Sequence, residues 1–285
     1  MISLVCPGGG ARGALQVGML KAWQELGLKA DMVYGTSVGA INGMMFHQDG
    51  GKVDNLEECW AQMKGSDVFS VNPLHWMNPL TKKDGLLSSA PLRKTIAKYL
   101  DYDKIKANPT PFNVTTTNLT TWKPYTLNVQ QMQVKDEMVN FILASASLPV
   151  AFPPVNWGEY QLADGGLVGQ FNLVDSVRGG ADTIVILRPV LPKTGQKVKS
   201  LIDAFSLTTS IPEEYVIDRE LTTIELINKV QASHADLRHI NVVVVQPTLP
   251  PAWDILDFTF GGRKPKDIIQ SGYNLAMPIL EAAFR

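Results

Sequence analysis

Cysteine and histidine are scarce in this chain of 285 residues, which has two of the first and four of the second. Two thiols allow no disulfide framework, and neither Cys6 nor Cys59 belongs to a metal-ligand spacing. Both read as reduced, buried, small hydrophobes, and no metal is expected. Blocks of Lys or Arg are also missing. With 26 basic and 27 acidic side chains the formal net charge is −1, which gives no electrostatic case for a nucleic-acid partner. No run of 18 apolar residues occurs, so no transmembrane helix is expected. The N-terminus has no basic region leading into a long apolar stretch and a small-residue cleavage site. That pattern points to a cytoplasmic protein with peripheral membrane contact at most. Internal repeats and low-complexity segments are lacking as well.

What is present is apolar material, 45% of the residues, enough for one large α/β core. Residues 2–6 read as a short strand buried on both faces. A glycine run follows, and then Leu15, Met19, Ala22 and Leu26 recur at helical spacing, with Gly27 as a stop. Residues 32–34 form a second strand pattern, and 38–47 a second helix. Strand, glycine turn, helix, strand, sharp turn, helix is the order of a parallel sheet with right-handed crossovers. Further strands are expected at 112–117, 125–129, 160–163, 183–187 and 240–245, and further helices at 54–63, 92–100, 136–146 and 267–284. Ile217, Leu221, Ile224, Ile227 and Val230 mark a long amphipathic helix before the last strand. The expected fold is a three-layer α/β/α sandwich with a mostly parallel central sheet, in a single domain spanning 1–285.

Three short motifs carry possible chemistry. Gly8-Gly9-Gly10-Ala11-Arg12-Gly13 places glycines between a strand and a helix N-terminus, where free backbone N–H groups can hold an anion. Gly35-Thr36-Ser37-Val38-Gly39 is the pattern of a strand-to-helix elbow that pushes a serine hydroxyl outwards. Asp164-Gly165-Gly166 ends a strand with one carboxylate beside two glycines. Each has a plainer reading. The glycine run also suits a dinucleotide, but that fold wants an acid at the far end of the second strand. Here Asp31 stands at its beginning. Ser37 could be a helix N-cap, and Asp-Gly-Gly is a common turn. Gly35 and Gly39, which remove the side chains that would crowd an elbow, favour an exposed serine. Ala40 and Gly43 let the following helix sit close to the sheet.

In order and spacing these motifs resemble those of the patatin-like phospholipases. Ala146-Ser147-Leu148-Pro149, followed by Phe152-Pro153-Pro154, is similar to that family's approach to its catalytic aspartate. The motif-bearing part spans 1–190, and the last third carries no family motif. The resemblance implies a Ser–Asp dyad, with Ser37 as nucleophile and Asp164 as base, and an oxyanion hole from Gly9, Gly10 and Arg12. It implies no cofactor, and a phospholipid or other long-chain acyl ester as substrate, met in transient contact with a membrane surface. Arg12 would either shape that loop or meet a phosphate, unless it only pins the loop by a salt bridge. Alternatives are a lipid-binding or regulatory protein without turnover, and an esterase or thioesterase for small acyl compounds.

A third catalytic residue would have to be a histidine. His47 lies ten residues beyond Ser37 on one helix, about 15 Å away, which is too far. His75 falls in a long loop. His234 ends a helix pattern and His239 precedes the last strand, whereas a triad histidine should follow one. Apolar residues crowd the loop 65–90, with Val68, Phe69, Val71, Leu74, Trp76, Met77, Leu80, Leu86 and Leu87. They form either a lid or acyl-chain wall, or a cover over the core. Trp253, Phe258 and Phe260 in 250–262 invite the same two readings.

Overall fold

The computed structural model describes residues 1–71, 85–190, 201–234, 238–248 and 255–285, with 201–209 as backbone only. Eight strands form one sheet: β1 (Ile2–Cys6), β2 (Met32–Thr36), β3 (Phe112–Asn118), β4 (Lys123–Asn128), β5 (Val155–Trp157), β6 (Tyr160–Asp164), β7 (Thr183–Leu187) and β8 (Asn241–Val245). The helices are α1 (Gly13–Glu25), α2 (Val38–Gln48), α3 (Asp54–Gln62), α4 (Ala90–Tyr99), α5 (Tyr102–Ala107), α6 (Lys135–Ser145), α7 (Leu173–Arg178), α8 (Leu201–Gln231) and α9 (Pro265–Phe284).

The sheet order is β5-β6-β3-β2-β1-β7-β8, with β4 on the other edge of β3. From β3 to β8 the strands are parallel, and β4, β5 and β6 join antiparallel. The mostly parallel sheet expected from the sequence is therefore present. Its central strands are covered on both faces, and alternate residues divide between two cores. Leu4 and Cys6 of β1, with Val185 and Leu187 of β7, pack among residues of α1, α2, α3 and α9. Val5, Ile184 and Ile186 point the other way, onto Ile217 and Ile224 of α8. Such double burial is why these strands are continuous apolar runs instead of alternating ones. The layers are helix, sheet, helix.

On the first face α1 and α9 meet backbone to backbone. A Cβ on Gly18 would stand 1.9 Å from the Ile269 carbonyl oxygen, and one on Gly272 would stand 2.0 Å from that of Leu15. No larger residue fits at either crossing.

One detail of the pairing places the site. β4 lines one edge of β3 from Asn113 to Asn118, so β2 and β6 must share the other. β2 pairs there until Thr36 opposes Thr115. β6 takes over at the next position, with Asp164 opposite Thr116. Because β6 runs antiparallel, the two chains end head to head, and Ser37 and Asp164 come together. This handover explains two boundary differences from the sequence reading: β2 runs on to Thr36, and β6 runs on to Asp164. β5, with three residues, is too short to show alternation. α5 and α7, with six each, are too short to show helical period. α8 begins at Leu201, well ahead of the periodic apolar stretch, and accommodates Pro212 within it.

Candidate active site

Ser37 bridges β2 and α2 at φ 55°, ψ −130°. A side chain in that region costs roughly 1–3 kcal/mol and persists only where its surroundings enforce it. The enforcement is visible. A Cβ on Gly39 would stand 1.9 Å from the Cys6 carbonyl oxygen, and one on Gly35 would stand 2.7 Å from the Cα of Ala40. The elbow thus presses α2 onto the ends of β1 and β2 where only glycine fits. The Ser37 N–H donates to Ser145 Oγ at 2.9 Å, and that hydroxyl donates to the Thr115 carbonyl at 2.6 Å. Ser37 makes no side-chain capping hydrogen bond to α2. The missing bond removes the N-cap reading, and the hydroxyl is instead close enough to the Asp164 carboxyl to lower its pKa.

Asp164 is the last residue of β6, only 4% exposed. Its N–H donates to the Ser147 carbonyl at 2.9 Å, its own carbonyl accepts from Thr117 Oγ1 at 2.8 Å, and its Oδ1 accepts from Gly166 N–H at 2.8 Å. Burial pushes the carboxyl up to about 6, against the lowering effect of the nearby Ser37 hydroxyl and the Gly166 hydrogen bond, and the Glu213 charge adds to the rise. At neutral pH it is ionised, and it is a stronger base than an ordinary aspartate.

The glycine run forms a tight turn ahead of α1. Gly8 N–H donates to Gln170 Oε1 at 2.9 Å, and Ala11 N–H donates to the Ile255 carbonyl at 2.7 Å. Gly10 sits at φ 55°, and a Cβ there would overlap the Ile255 carbonyl at 2.1 Å. Among the described residues, the N–H groups of Gly9 and Gly10 have no hydrogen-bond partner. Both residues line one cavity with Ser37, Asp164 and Arg12. Arg12 is 4% exposed, and its charge is felt by Glu213, which also lines that cavity. Glu213 is in turn paired with Arg188 at 3.1 Å. Burial dominates and raises the Glu213 carboxyl, while Arg188 and Arg12 pull it back.

Away from these polar groups the cavity is apolar. Ile41 and Met45 of α2, Cys59 and Trp60 of α3, Leu92 of α4 and Phe258 form much of its wall. Trp60 is fixed by a hydrogen bond from Nε1 to Asn42 Oδ1 at 2.8 Å and by stacking on Phe258 at 6.5 Å. Two segments whose role the sequence left open contribute here. Val68 lines the cavity, Phe69 packs edge-on against Phe258, and Leu87 packs against the core. Val71 and Leu86 are exposed, and Phe260 is buried beside Trp60. Leu74, Trp76, Met77, Leu80 and Trp253 lie outside the described residues.

The remaining candidates are elsewhere. His47 is buried on Phe112, with Nε2 2.7 Å from the Thr110 carbonyl oxygen, and burial holds its pKa below the usual range. His234 and His239 are exposed. His239 precedes β8, a strand parallel to β7, and so stands at the sheet edge opposite Ser37. His75 lies outside the described residues. Asp31 accepts the Ile2 N–H at 2.6 Å, at the opposite end of β1 from the glycine loop. The Cys6 thiol is pushed up to about 12 and Cys59 to about 11 by burial, so neither is a ready thiolate. No helix among the described residues is long and apolar enough to cross a membrane. No trio of His, Cys, Asp or Glu among them is grouped to hold a metal ion. Sequence reasoning did not reach Ser145, Gln170, Arg188 or Glu213, which lie in no motif and meet the site only through tertiary contacts.

Comparison with known proteins supplies the lineage. A stretch of 169 residues is 30% identical to the neuropathy target esterase sws of Drosophila sechellia, covering 59% of this chain and 11% of that protein. Another, of 190 residues, is 26% identical to the patatin-like phospholipase domain-containing protein 7 of Rattus norvegicus, covering 65% and 13%. The chain therefore matches only a small part of the length of these relatives. Among solved structures, VipD from Legionella pneumophila superposes with a TM-score of 0.44 at 15% identity, over 98% of this chain and 66% of that one. The family model described as Patatin-like phospholipase matches residues 4–176. That span runs from β1 through the glycine loop, the Ser37 elbow and Asp164 into α7, and the chain belongs to the patatin-like phospholipase family.

Proposed function

We propose that this protein is a lipid acyl hydrolase that cleaves carboxylic esters through Ser37 and Asp164. The observation that carries this reading is a strained, uncapped serine and a buried aspartate that line one largely apolar cavity together. In the reaction Asp164 accepts the Ser37 proton as Oγ attacks the ester carbonyl. The carbonyl oxygen becomes an oxyanion and takes hydrogen bonds from the N–H groups of Gly9 and Gly10, with the positive end of the α2 dipole nearby. Arg12, whose charge acts on Glu213, shapes the loop. The alcohol leaves with the proton from Asp164, and water, deprotonated by the same carboxylate, hydrolyses the acyl-enzyme.

The apolar wall from α2, α3 and α4 favours a long acyl chain over a small one. Such a substrate would be met at a lipid surface. One sheet joins β1 to β8, and α9 packs on α1, which supports reading 1–285 as one domain. Treatment with a fluorophosphonate followed by peptide mapping tests the assignment. Label on Ser37, with ester hydrolysis lost in a folded Ser37→Ala variant, is expected. Label on another serine with activity kept in that variant would overturn it.

A further inference from the structure

Gly8 lies against two side chains. A Cβ on it would stand 2.9 Å from both Gln170 Oε1 and Ser37 Cβ. The plane of this residue therefore sets where the next two N–H groups point relative to the Ser37 hydroxyl. Its own N–H donates to Gln170 Oε1 at 2.9 Å, and Gln170 is 4% exposed.

The two ends of the Gln170 amide are chemically distinct. The end that accepts from Gly8 must be oxygen, which leaves the NH₂ group as the donor through which Gln170 lowers the pKa of Glu213, a residue lining the same cavity. Glu213 is itself fixed. Arg188 Nε donates to its Oε1 at 3.1 Å, Arg188 Nη1 donates to Gln246 Oε1 at 3.2 Å, and Arg188 is also paired with Glu214. The Arg188 guanidinium lies on the Phe171 ring at 5.6 Å. Buried polar groups thus extend from Arg188 and from Glu213 of α8 to Gln170 and the start of the glycine loop, and the bond from Gly8 gives the amide one orientation.

We propose that Gln170 and Glu213 are positioning residues that hold the glycine loop in the geometry that receives the oxyanion. Glu213 fixes the direction of the Gln170 amide, and Gln170 fixes Gly8. The inference rests on the reading of Gly9 and Gly10 as donors to the oxyanion.

Two measurements test it on the whole chain, in Gln170→Leu, Glu213→Leu and Glu213→Gln. The first is amide hydrogen exchange at Gly8, followed with glycine labelled at nitrogen, which needs no catalysis. The Gly8 amide should exchange slowly in the wild type and at least tenfold faster in both leucine variants, while Glu213→Gln, which keeps an acceptor for the Gln170 NH₂, should stay near wild type. Unchanged exchange in Gln170→Leu would overturn the proposal.

The second is kcat and KM for a p-nitrophenyl ester, per site titrated with fluorophosphonate. Loss of one whole oxyanion donor costs about a hundred- to a thousand-fold in kcat, so displaced donors should cost about ten- to a hundred-fold with KM within about twofold. The double leucine variant should be no worse than the poorer single one, because both act through one loop. A wild-type kcat per titrated site in Gln170→Leu would also overturn the proposal. Should the wild type neither label at Ser37 nor turn over ester, the hydrolase reading would fall by itself, and the exchange measurement would still decide whether the chain holds the loop.

Discussion

Asp164, the proposed base, is a cost to the fold. Its pKa rises from 3.8 to about 6 on folding, chiefly through burial. A group whose folded value is raised contributes stability that is complete below its unfolded value and is lost as the pH climbs through the folded value. Above pH 6 the native protein therefore keeps an ionised carboxylate where a neutral one would be more stable, by about 3 kcal/mol. Asp164→Asn, which can still accept from Gly166 N–H, should unfold at a higher temperature than wild type at pH 8, with the gain gone at pH 4. The same variant should lose roughly a hundred- to ten-thousand-fold in ester hydrolysis. The wild-type rate should fall as the pH drops below about 6, following the carboxylate. Thermal melts and a kcat/KM profile across pH 4–9 check the three statements. His234→Ala and His239→Ala should stay within a few-fold of wild type; inactivation of either, with the fold intact, would call for a histidine the exposed positions do not explain.

At the scale of the element, glycine marks two kinds of contact with different consequences. Gly39 lies in the elbow, against the carbonyl of Cys6. Alanine there must lift the start of α2 from β1, so Gly39→Ala should reduce activity per folded molecule by more than tenfold. Gly272 lies in the crossing of α9 with α1, where a Cβ would stand 2.0 Å from the Leu15 carbonyl oxygen. Gly272→Ala should cost about 1–3 kcal/mol of stability through overpacking, yet leave kcat per titrated site within about twofold. Denaturant unfolding together with active-site titration separates the two. Equal kinetic damage from both would mean that the α1–α9 pair also shapes the site, through α1 and the glycine turn ahead of it.

The apolar cavity is a property of the whole molecule. Its wall draws on α2, α3 and α4 and on Phe258 near the C-terminal helix, segments that only the closed fold assembles. A chain that reaches along this wall gains about 0.8 kcal/mol for each CH₂ withdrawn from water, and that gain raises kcat only where it helps to orient the ester at Ser37. Hydrolysis of p-nitrophenyl esters should therefore quicken from acetate to laurate, and Trp60→Ala should flatten the trend while changing acetate turnover by less than about threefold. An unaltered chain-length slope in Trp60→Ala would remove that wall from substrate recognition.

The glycine loop, the elbow and the aspartate were legible in the sequence because each is a local backbone problem. Where a chain must turn with no room for a Cβ, as at Gly39 against Cys6, it writes glycine into adjacent positions. The parallel strands were legible for a similar reason: burial on both faces leaves apolar runs without alternation, as in 2–6 and 183–187. Their meeting was not written locally. That Asp164 opposes Thr116 directly beyond the Thr36–Thr115 pair is a matter of register between strands about 50 to 80 residues apart. The same holds for Gln170 against Gly8, Ser145 beneath Ser37, and Phe258 against Trp60. Such contacts depend on which elements the sheet order brings side by side, and a glutamine or a serine looks alike in sequence whether it faces water or holds a loop. The sequence by itself thus determined the elbow, the loop and the layered α/β architecture. The tertiary structure decided that they line one cavity, what buttresses it, and which apolar side chains share its wall.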